Sequence, residues 1–377
     1  MTQPRDYGFD EDQVMFKDSI ARFLEARAPM DSLRENIAGT EDPYHGKHRT
    51  GGFNLDIWQE MIALGWTAMA VPEAQGGAGM NLMTAASLCE ELGRAAIATP
   101  MTATLHATFV LREVASEASR HWLEKVAEGR AGSLAFQGSS GSFDLDDVEV
   151  TIDPGSGKLN GVASFVQDAQ KVDFLIVAAS GDQGIDLYAV DINAEGVSIE
   201  PDRIVDLSRD QGRVRFSSVA AEALTTADAA AGVIHAAMPA LLTMIAADIA
   251  GAAEWQLQTT SEYARIRTQF DRPIGFFQAV KHPIVDMMIC VDETRSLVYN
   301  AACAFDYDRD DADRCARLAK SSAADTAAFC SNRSVQLHGG IGFTWEADVQ
   351  IYFKRQKHNQ FMYGDGSWQR QKLAELV

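Results

Sequence analysis

The spacing of apolar residues changes twice along this chain, and that double change limits the folds it can adopt. From about residue 9 to 130, apolar residues recur at three- and four-residue intervals, as in Phe16, Ile20 and Phe23. From about 133 to 222 they alternate with polar residues in short runs separated by Gly, Asp and Asn. The helical spacing then returns and continues to the end. The first and third patterns indicate amphipathic helices, and the second indicates β-strands.

This order predicts an α+β chain of three domains. We expect an all-helical domain over residues 1–130, a small β-barrel or β-sandwich over 131–225, and a four-helix bundle over 226–377. With 377 residues, 46% of them hydrophobic, the chain is long enough to bury two or three cores. Alanines beside the apolar face of the first bundle helix favour close helix packing, and the bundle is also expected to build an oligomer.

Individual strands and loops are expected where the pattern is clearest. Alternating or apolar runs predict strands at 148–152, 174–178, 187–192 and 213–218. The polar stretch 35–52 is predicted to be a loop. Its histidines, His45 and His48, have no further ligands nearby, so no metal site is expected there.

Charge and cysteine content limit the partners. The formal net charge of −20 repels phosphate backbones and anionic headgroups, so neither nucleic acid nor a membrane is an expected partner. An anionic ligand would need a local basic pocket. The amino terminus lacks the pattern of a secretory signal, and no uninterrupted apolar segment is long enough to span a bilayer. Five scattered cysteines without a CxxC pair indicate a reduced, cytoplasmic protein with no cysteine-based metal site.

Three segments carry motifs that together point to a family. They are MAVPEAQGGAG at 69–79 with EELGR at 90–94, YARIRTQFDRPIGFFQAVKH at 263–282, and VQLHGGIGFTWE at 335–346. Taken singly, their arginines, glutamines and glycines are ordinary surface, core and turn residues. In register over nearly the whole chain, they resemble the acyl-CoA dehydrogenase family of flavoproteins. The resemblance is weakest in the predicted β domain.

The resemblance implies flavin adenine dinucleotide (FAD) as the cofactor. It assigns the grip on FAD to seven residues of the second and third segments: Arg267, Gln269, Phe270, Gln278, Gln336, Gly339 and Gly340. An arginine fork meets a pyrophosphate with charge-assisted bonds, and adjacent glycines let backbone amides approach a ligand. In this family these residues reach across a subunit interface to a flavin whose ring lies in the neighbouring subunit.

The family's catalytic base is missing from both customary positions. The reaction removes a proton next to a thioester and passes a hydride to the flavin, so it needs a carboxylate in an apolar pocket. In most relatives a glutamate follows the tyrosine of a YEGT-like segment, but here Gly364 follows Tyr363. Other members use the first helix after the β domain, where this chain has Leu241 and no acid nearby. The catalytic residue is therefore unknown, and Asp365 is a weak candidate.

The segments that hold the flavin ring depart from the family as well. Where relatives carry TEP-x-x-GSD, this chain has AFQGSSGSFD at 135–144, and the lysine usual after Leu-Asn-Gly is absent from 162–167. Residues that reach a neighbour's cofactor are kept, while those for the chain's own flavin ring are degraded. The resemblance therefore implies the non-catalytic subunit of a heterotetramer of unlike acyl-CoA dehydrogenase subunits, as known for steroid and other bulky acyl-CoA substrates.

Three hypotheses remain open. The chain completes the FAD site of an unlike catalytic partner, or it is a self-sufficient acyl-CoA dehydrogenase, active as a homo-oligomer, that uses Asp365 as its base. The third hypothesis is a scaffold or binding protein that keeps the fold without flavin. Asp365 is displaced by one residue and shorter than glutamate, and Gly-Asp-Gly also reads as a plain turn. Arg267, Gln278 and Gln336 argue against the third hypothesis, because an unpaired buried arginine is costly. The acyl group is not identified by the sequence.

Overall fold

The amino-terminal part of the chain folds into helices, as its periodicity predicts. The computed structural model describes residues 11–38 and 52–376. Asn54, Asn81 and Ser116 each precede a helix and accept hydrogen bonds from backbone amides of its first turn. The helices of this part are α1 (Glu11–Arg27), α2 (Met30–Ala38), α3 (Leu55–Ala63), α4 (Leu82–Arg94), α5 (Met101–Arg112) and α6 (Glu117–Ala127).

The loop predicted from residue 35 was wrong at its start. Helix α2 continues to Ala38, so residues 35–38 are helical although the stretch 35–52 is mostly polar. His45 and His48 lie outside the described residues.

The middle of the chain forms one eight-stranded mixed sheet. Its strands are β1 (Gly132–Ala135), β2 (Thr151–Asp153), β3 (Lys158–Gln167), β4 (Phe174–Gly181), β5 (Gly184–Asp191), β6 (Val197–Pro201), β7 (Gln211–Ala220) and β8 (Glu222–Ala223). Neighbours follow the order β6-β7-β3-β2-β4-β5-β8, and β1 pairs in parallel with β4. Strand β4 is buried over most of its length, so its sequence is continuously apolar, whereas burial along β7 alternates.

The predicted strands agree with the sheet at three of four places. Those at 174–178, 187–192 and 213–218 are confirmed with slightly different bounds. The prediction at 148–152 was wrong for its first three residues, since only Thr151–Asp153 forms a strand there. Strand β3 was not predicted, because half-buried and exposed residues interrupt its apolar pattern.

The carboxyl-terminal part is a helical bundle, and the predicted fold class is confirmed. Its helices are α7 (Ala230–Ile266), α8 (Gln278–Tyr307), α9 (Arg309–His338), α10 (Val349–Phe361) and α11 (Gly366–Ala374). Helices α7, α8 and α9 pack on one another, and α10 packs on α7 and α9. A two-strand hairpin, β9 (Thr268–Gln269) with β10 (Arg272–Pro273), follows α7. The domain boundaries at 130 and 225 stay predictions.

Helix α7 is long and apolar enough to cross a membrane by length and hydropathy alone. This corrects the expectation that no segment of the chain is. However, 72% of its most apolar window is buried inside the protein. Packing against α8, α9 and α10 inside the bundle therefore explains why α7 is so apolar.

A buried carboxylate on α7 joins all three parts of the chain. Asp248 is 0% exposed and accepts hydrogen bonds from Arg355 Nε (3.0 Å) and Nη2 (2.6 Å), from Arg209 Nη2 (2.7 Å) and from Asn359 Nδ2 (2.6 Å). Arg355 lies on α10 and Arg209 precedes β7. Arg355 also donates to the carbonyl of Ile97 in the amino-terminal part (3.4 Å). This buried cluster fixes the sheet and the first helices against the bundle.

Candidate functional site

A cavity of about 540 Å³ opens between the sheet and α10. The sheet side supplies the end of β1 and the segment after it, the end of β3, and the segment that joins β6 to β7. The lining residues are Leu134, Phe136, Gln137, Gly141, Phe143, Ser164, Phe165, Gln167, Arg203, Ile204, Val205, Asp206, Gln211, Lys354, Lys357, His358, Phe361, Met362 and Tyr363. The segments 135–144 and 162–167, and the tyrosine before the customary base position, thus all meet at this cavity.

Aromatic rings form much of the cavity wall. The Phe136 and Tyr363 rings are nearly parallel, with centroids 6.4 Å apart, and the Phe143 centroid lies 5.7 Å from that of Tyr363. Phe165 and Tyr363 both have positive φ angles, 56° and 54°, which bulky residues rarely adopt. Backbone strain of this kind is concentrated at functional sites. Because aromatic rings form so much of it, the wall is suited to a flat apolar group.

The amide side chains of the wall bond mainly to the protein itself. Gln137 Nε2 donates to the carbonyl of Gly141 (3.2 Å). Gln167 Nε2 donates to Gln211 Oε1 (3.0 Å), and His358 Nε2 donates to Gln167 Oε1 (2.8 Å). Burial lowers the pKa of His358 to about 4, so this imidazole is neutral at pH 7. The amide groups of Gln137 and Gln167 are therefore already hydrogen-bonded to other groups of the protein.

The position of the family's base is closed to a side chain. Gly364 has φ +91°, and a Cβ built there would lie 2.4 Å from Cε3 of Trp368. Glutamate at this position would therefore require the tryptophan to move. Leu241, the alternative position, is fully buried in α7 between Ala240 and Leu242, which are also fully buried.

Tyr363 and a buried lysine hold the segment around Gly364 in place. The Tyr363 hydroxyl forms a hydrogen bond of 3.1 Å with His106 Nδ1. Lys320, on α9, is 0% exposed, and its Nζ donates to the carbonyls of Gln360 (3.0 Å) and Gly364 (2.8 Å). Burial lowers the pKa of Lys320 to about 7, although the Asp365 carboxylate opposes that shift. These hydrogen bonds attach the segment to α5 and α9.

Asp365 caps helix α11. Its Oδ1 accepts a hydrogen bond of 2.9 Å from the backbone amide of Trp368, three residues along, and its backbone is extended, as is usual for a capping residue. Asp365 does not line the cavity. The Asp365 carboxylate therefore has a structural role, because it caps α11.

We expect Asp365→Asn to leave the assembled enzyme's kcat within about a few-fold of wild type, since asparagine caps helices as well as aspartate does. Asp365→Ala should instead lower the free energy of unfolding by about 0.5–2 kcal/mol. Steady-state kinetics and urea unfolding of the two variants check this. A kcat loss of about a hundred-fold or more in Asp365→Asn would identify Asp365 as a general base.

The seven residues assigned to FAD lie together, away from the cavity. None of them lines it. Arg267 directly follows α7, and Gly339 directly follows α9. The ring of Tyr263, on α7, stacks on that of His338, on α9, with centroids 4.4 Å apart, so the two helix ends lie side by side. Gln278 begins α8 next to the same hairpin. Residues Arg267, Gln269, Phe270, Gln278, Gln336, Gly339 and Gly340 are all exposed.

This end of the bundle is open to a partner or ligand. The Arg267 side chain forms no hydrogen bond or ion pair with any residue that the structure describes. Arg267 is exposed, so the argument that it would be a costly buried arginine was wrong for the isolated chain. That argument applies only when a partner or ligand covers Arg267. An ideal Cβ at Gly339 or Gly340 meets nothing within 4 Å, so packing inside the chain does not require glycine there. Phe270 itself is 82% exposed, and further exposed apolar side chains lie close to these residues in the sequence: Ile266 (69%), Phe276 (58%) and Phe343 (72%).

Three cavity and support residues were missed from the sequence. Asp206, His358 and Lys320 belong to no motif of the chain, and their neighbours along the sequence do not distinguish them from surface residues. Only the fold places Asp206 and His358 at one cavity, and Lys320 against the segment that precedes Asp365. Across the described ranges, 11–38 and 52–376, no group of three or more His, Cys, Asp or Glu side chains could hold a metal ion.

Comparisons with protein-family models cover most of the chain. The model of the acyl-CoA dehydrogenase N-terminal domain matches residues 10–130, and that of the acyl-CoA dehydrogenase C-terminal domain matches residues 231–377. Among curated relatives, "Acyl-CoA dehydrogenase IpdE2" of Mycolicibacterium smegmatis is 29% identical and covers 97% of this chain and 99% of its own. The protein of the same name from Mycobacterium tuberculosis is 30% identical, with coverages of 92% and 91%.

Solved structures with the same fold include complexes of unlike chains. One is a variant of the "Tcur3481-Tcur3483 steroid ACAD"; it is 28% identical, with a TM-score of 0.85 over 97% of each chain. The ChsE4-ChsE5 complex from Mycobacterium tuberculosis is 25% identical, with a TM-score of 0.85 over 98% of each chain. Butyryl-CoA dehydrogenase from Megasphaera elsdenii, at 21% identity and a TM-score of 0.86 over 97% of this chain and 98% of its own, shows the shared fold alone.

Proposed function

The chain belongs to the acyl-CoA dehydrogenase family, and we propose that it acts as the partner subunit of a heteromeric member. In this role it completes the FAD site of an unlike catalytic subunit, and the complex carries out α,β-dehydrogenation of an acyl-CoA thioester. The partner supplies the carboxylate base. The proposed assembly is a cytoplasmic heterotetramer.

The separation of the two candidate sites carries this proposal. All seven residues assigned to FAD are exposed at one end of the bundle, and none of them lines the chain's own cavity. The Arg267 side chain has no hydrogen-bond or ion-pair partner within residues 11–38 and 52–376, and it lies at the same end of the bundle as two glycines that packing does not require. This arrangement fits an anionic cofactor brought by a neighbour. The surrounding apolar side chains fit a protein interface, because aromatic residues are enriched in such interfaces.

The residues at this end of the bundle fit the diphosphate and adenine parts of FAD. The Arg267 guanidinium would pair with the pyrophosphate, and Gln278 and Gln336 would offer both donors and acceptors. Gly339 and Gly340 would let the adenine half approach the backbone. When bound, FAD supplies the hydride acceptor. This chain's contribution is to hold and orient the cofactor from across the interface.

The relatives support the same assembly. Both structures of unlike chains are at least 25% identical to this chain over almost its full length. The description "steroid ACAD" supports a steroid-type or similarly bulky acyl group as the substrate of the complex. The self-sufficient alternative has less support, since Asp365 caps α11 and Gly364 is closed to a side chain.

Flavin stoichiometry tests the proposal. The chain should be colourless when purified alone and should yield a yellow complex with its partner that contains one flavin for every two subunits. Absorbance near 450 nm against protein concentration, with mass measured by light scattering, gives both numbers. Stoichiometric flavin in the isolated chain would support the self-sufficient enzyme, and a colourless complex would support the scaffold.

A further inference from the structure

We propose that the cavity between the sheet and α10 is a ligand site of its own, which binds a flat fused-ring acid with a hydroxyl group at its buried end. This inference rests on the proposed function, because it requires that the chain does not hold a flavin ring in the same space. The aromatic wall, the buried carboxylate of Asp206 and the basic side chains at the rim of the cavity each specify one part of the ligand.

The wall specifies a flat apolar body. Five aromatic residues, Phe136, Phe143, Phe165, Phe361 and Tyr363, line the cavity together with aliphatic side chains. The volume of about 540 Å³ is in the range of small-molecule sites. The wall amides of Gln137 and Gln167 are bonded to neighbouring protein groups. A flavin ring needs several polar partners along its pyrimidine edge, whereas a fused hydrocarbon ring system needs none.

The buried carboxylate of the lining specifies a hydrogen-bond donor. Asp206 is 2% exposed and lines the cavity. Its Oδ1 accepts from the amide (2.8 Å) and hydroxyl (2.7 Å) of Ser208, but its Oδ2 has no hydrogen-bond partner among the described residues. A buried carboxylate oxygen without a partner is costly, so a ligand hydroxyl that reaches it would gain a charge-assisted bond.

The rim specifies an anion. Three basic side chains, Arg203, Lys354 and Lys357, line the cavity against the single carboxylate of Asp206, in a chain whose formal net charge is −20. Arg203 is exposed and forms no ion pair with any described residue. Exposed Val205 (66%) and Phe361 (58%) lie at the same opening. A carboxylate on the outer end of the ligand would meet this local positive field.

The experiment uses the isolated full-length chain and three probes. They are 3β-hydroxy-5-cholenoate, the same acid without its hydroxyl group, and the methyl ester of the hydroxy acid. Absorbance near 450 nm is measured first, because bound flavin at that stage contradicts the proposed function before any probe is added. Equilibrium dialysis then gives each dissociation constant.

We expect the hydroxy acid to bind about ten-fold or more tightly than the acid without the hydroxyl, since a hydrogen bond to a charged group is at stake. The methyl ester should bind up to about five-fold more weakly than the acid, as expected for partly exposed charge pairs. In Asp206→Asn the advantage of the hydroxyl should fall to a few-fold. In Lys357→Met the advantage of the acid over the ester should shrink.

Matched variants separate these effects from general damage. Asp146→Asn and Lys158→Met change exposed residues that do not line the cavity, and both should bind all three probes as wild type does. If Asp206→Asn does not fold, the wild-type probe series still decides. Equal binding of the acids with and without the hydroxyl, an ester as tight as the acid, or no binding of the hydroxy acid up to its solubility would each overturn the proposal. A colourless chain that binds no probe would leave the partner role intact.

Discussion

Replacing Arg267 with alanine should lower the flavin affinity of the assembled complex about ten- to a hundred-fold. In the proposed complex the substitution would remove a charge-assisted hydrogen bond to the cofactor's pyrophosphate, worth roughly 1.5–3 kcal/mol. Arg267 is exposed directly after α7, and its side chain forms no hydrogen bond or ion pair with any residue that the structure describes, so the fold of this chain should not change. The measurement is flavin retained per complex after gel filtration at matched assembly.

Two further variants sharpen the comparison. Arg265→Ala removes an exposed arginine from the last turn of the same helix, and it should retain flavin as wild type does. Arg267→Lys should rescue retention only in part, since a point charge cannot reproduce the guanidinium fork. Equal retention in wild type and Arg267→Ala would show that Arg267 does not hold the cofactor, and the shared-site proposal would then fail.

The fold was predictable because the apolar spacing reports directly which face of each element is buried. The long periodic runs of α1, α3 and α7 and the strands β4, β5 and β7 were found for that reason. Strand β3 was missed, because its pairing with β7, and not the local pattern, stabilises it. Non-local pairing leaves no periodic signal within the segment itself.

The candidate site was predictable only in part. The motifs around Arg267 and Gly339 identified residues that the fold does bring together, but their exposure depends on how α7 and α9 end side by side. The sequence also indicated that the base segment was altered without showing how fully. The positive φ of Gly364 and the ring of Trp368 close the position together, so a glutamate at 364 would not fit unless Trp368 also moved. Asp206 became a candidate only once the cavity defined its surroundings.

The second large effect concerns the buried cluster that joins the three parts of the chain. Asp248→Ala should lower the free energy of unfolding by about 3–5 kcal/mol, because it removes the buried carboxylate that forms ion pairs with both Arg355 and Arg209. Asp325→Ala is the matched control: its ion pair with Arg370 spans 2.8 Å, but both side chains are at least half exposed. That variant should cost less than about 1 kcal/mol. Urea unfolding followed by tryptophan fluorescence gives both values.

The effect of Asp248 should also depend on pH in a defined direction. Burial alone would raise the pKa of Asp248, but Arg355 and Arg209 outweigh it and hold the pKa below its ordinary value. A carboxylate with a lowered folded-state pKa stabilises the protein fully above its unfolded-state pKa of about 3.9, and that contribution is lost as pH falls through the lower folded value. The difference between wild type and Asp248→Ala should therefore be constant from about pH 7 to 5 and shrink only in stronger acid. A difference that already shrinks between pH 7 and 5, or one no larger than that of Asp325→Ala, would contradict a charged and fully paired Asp248.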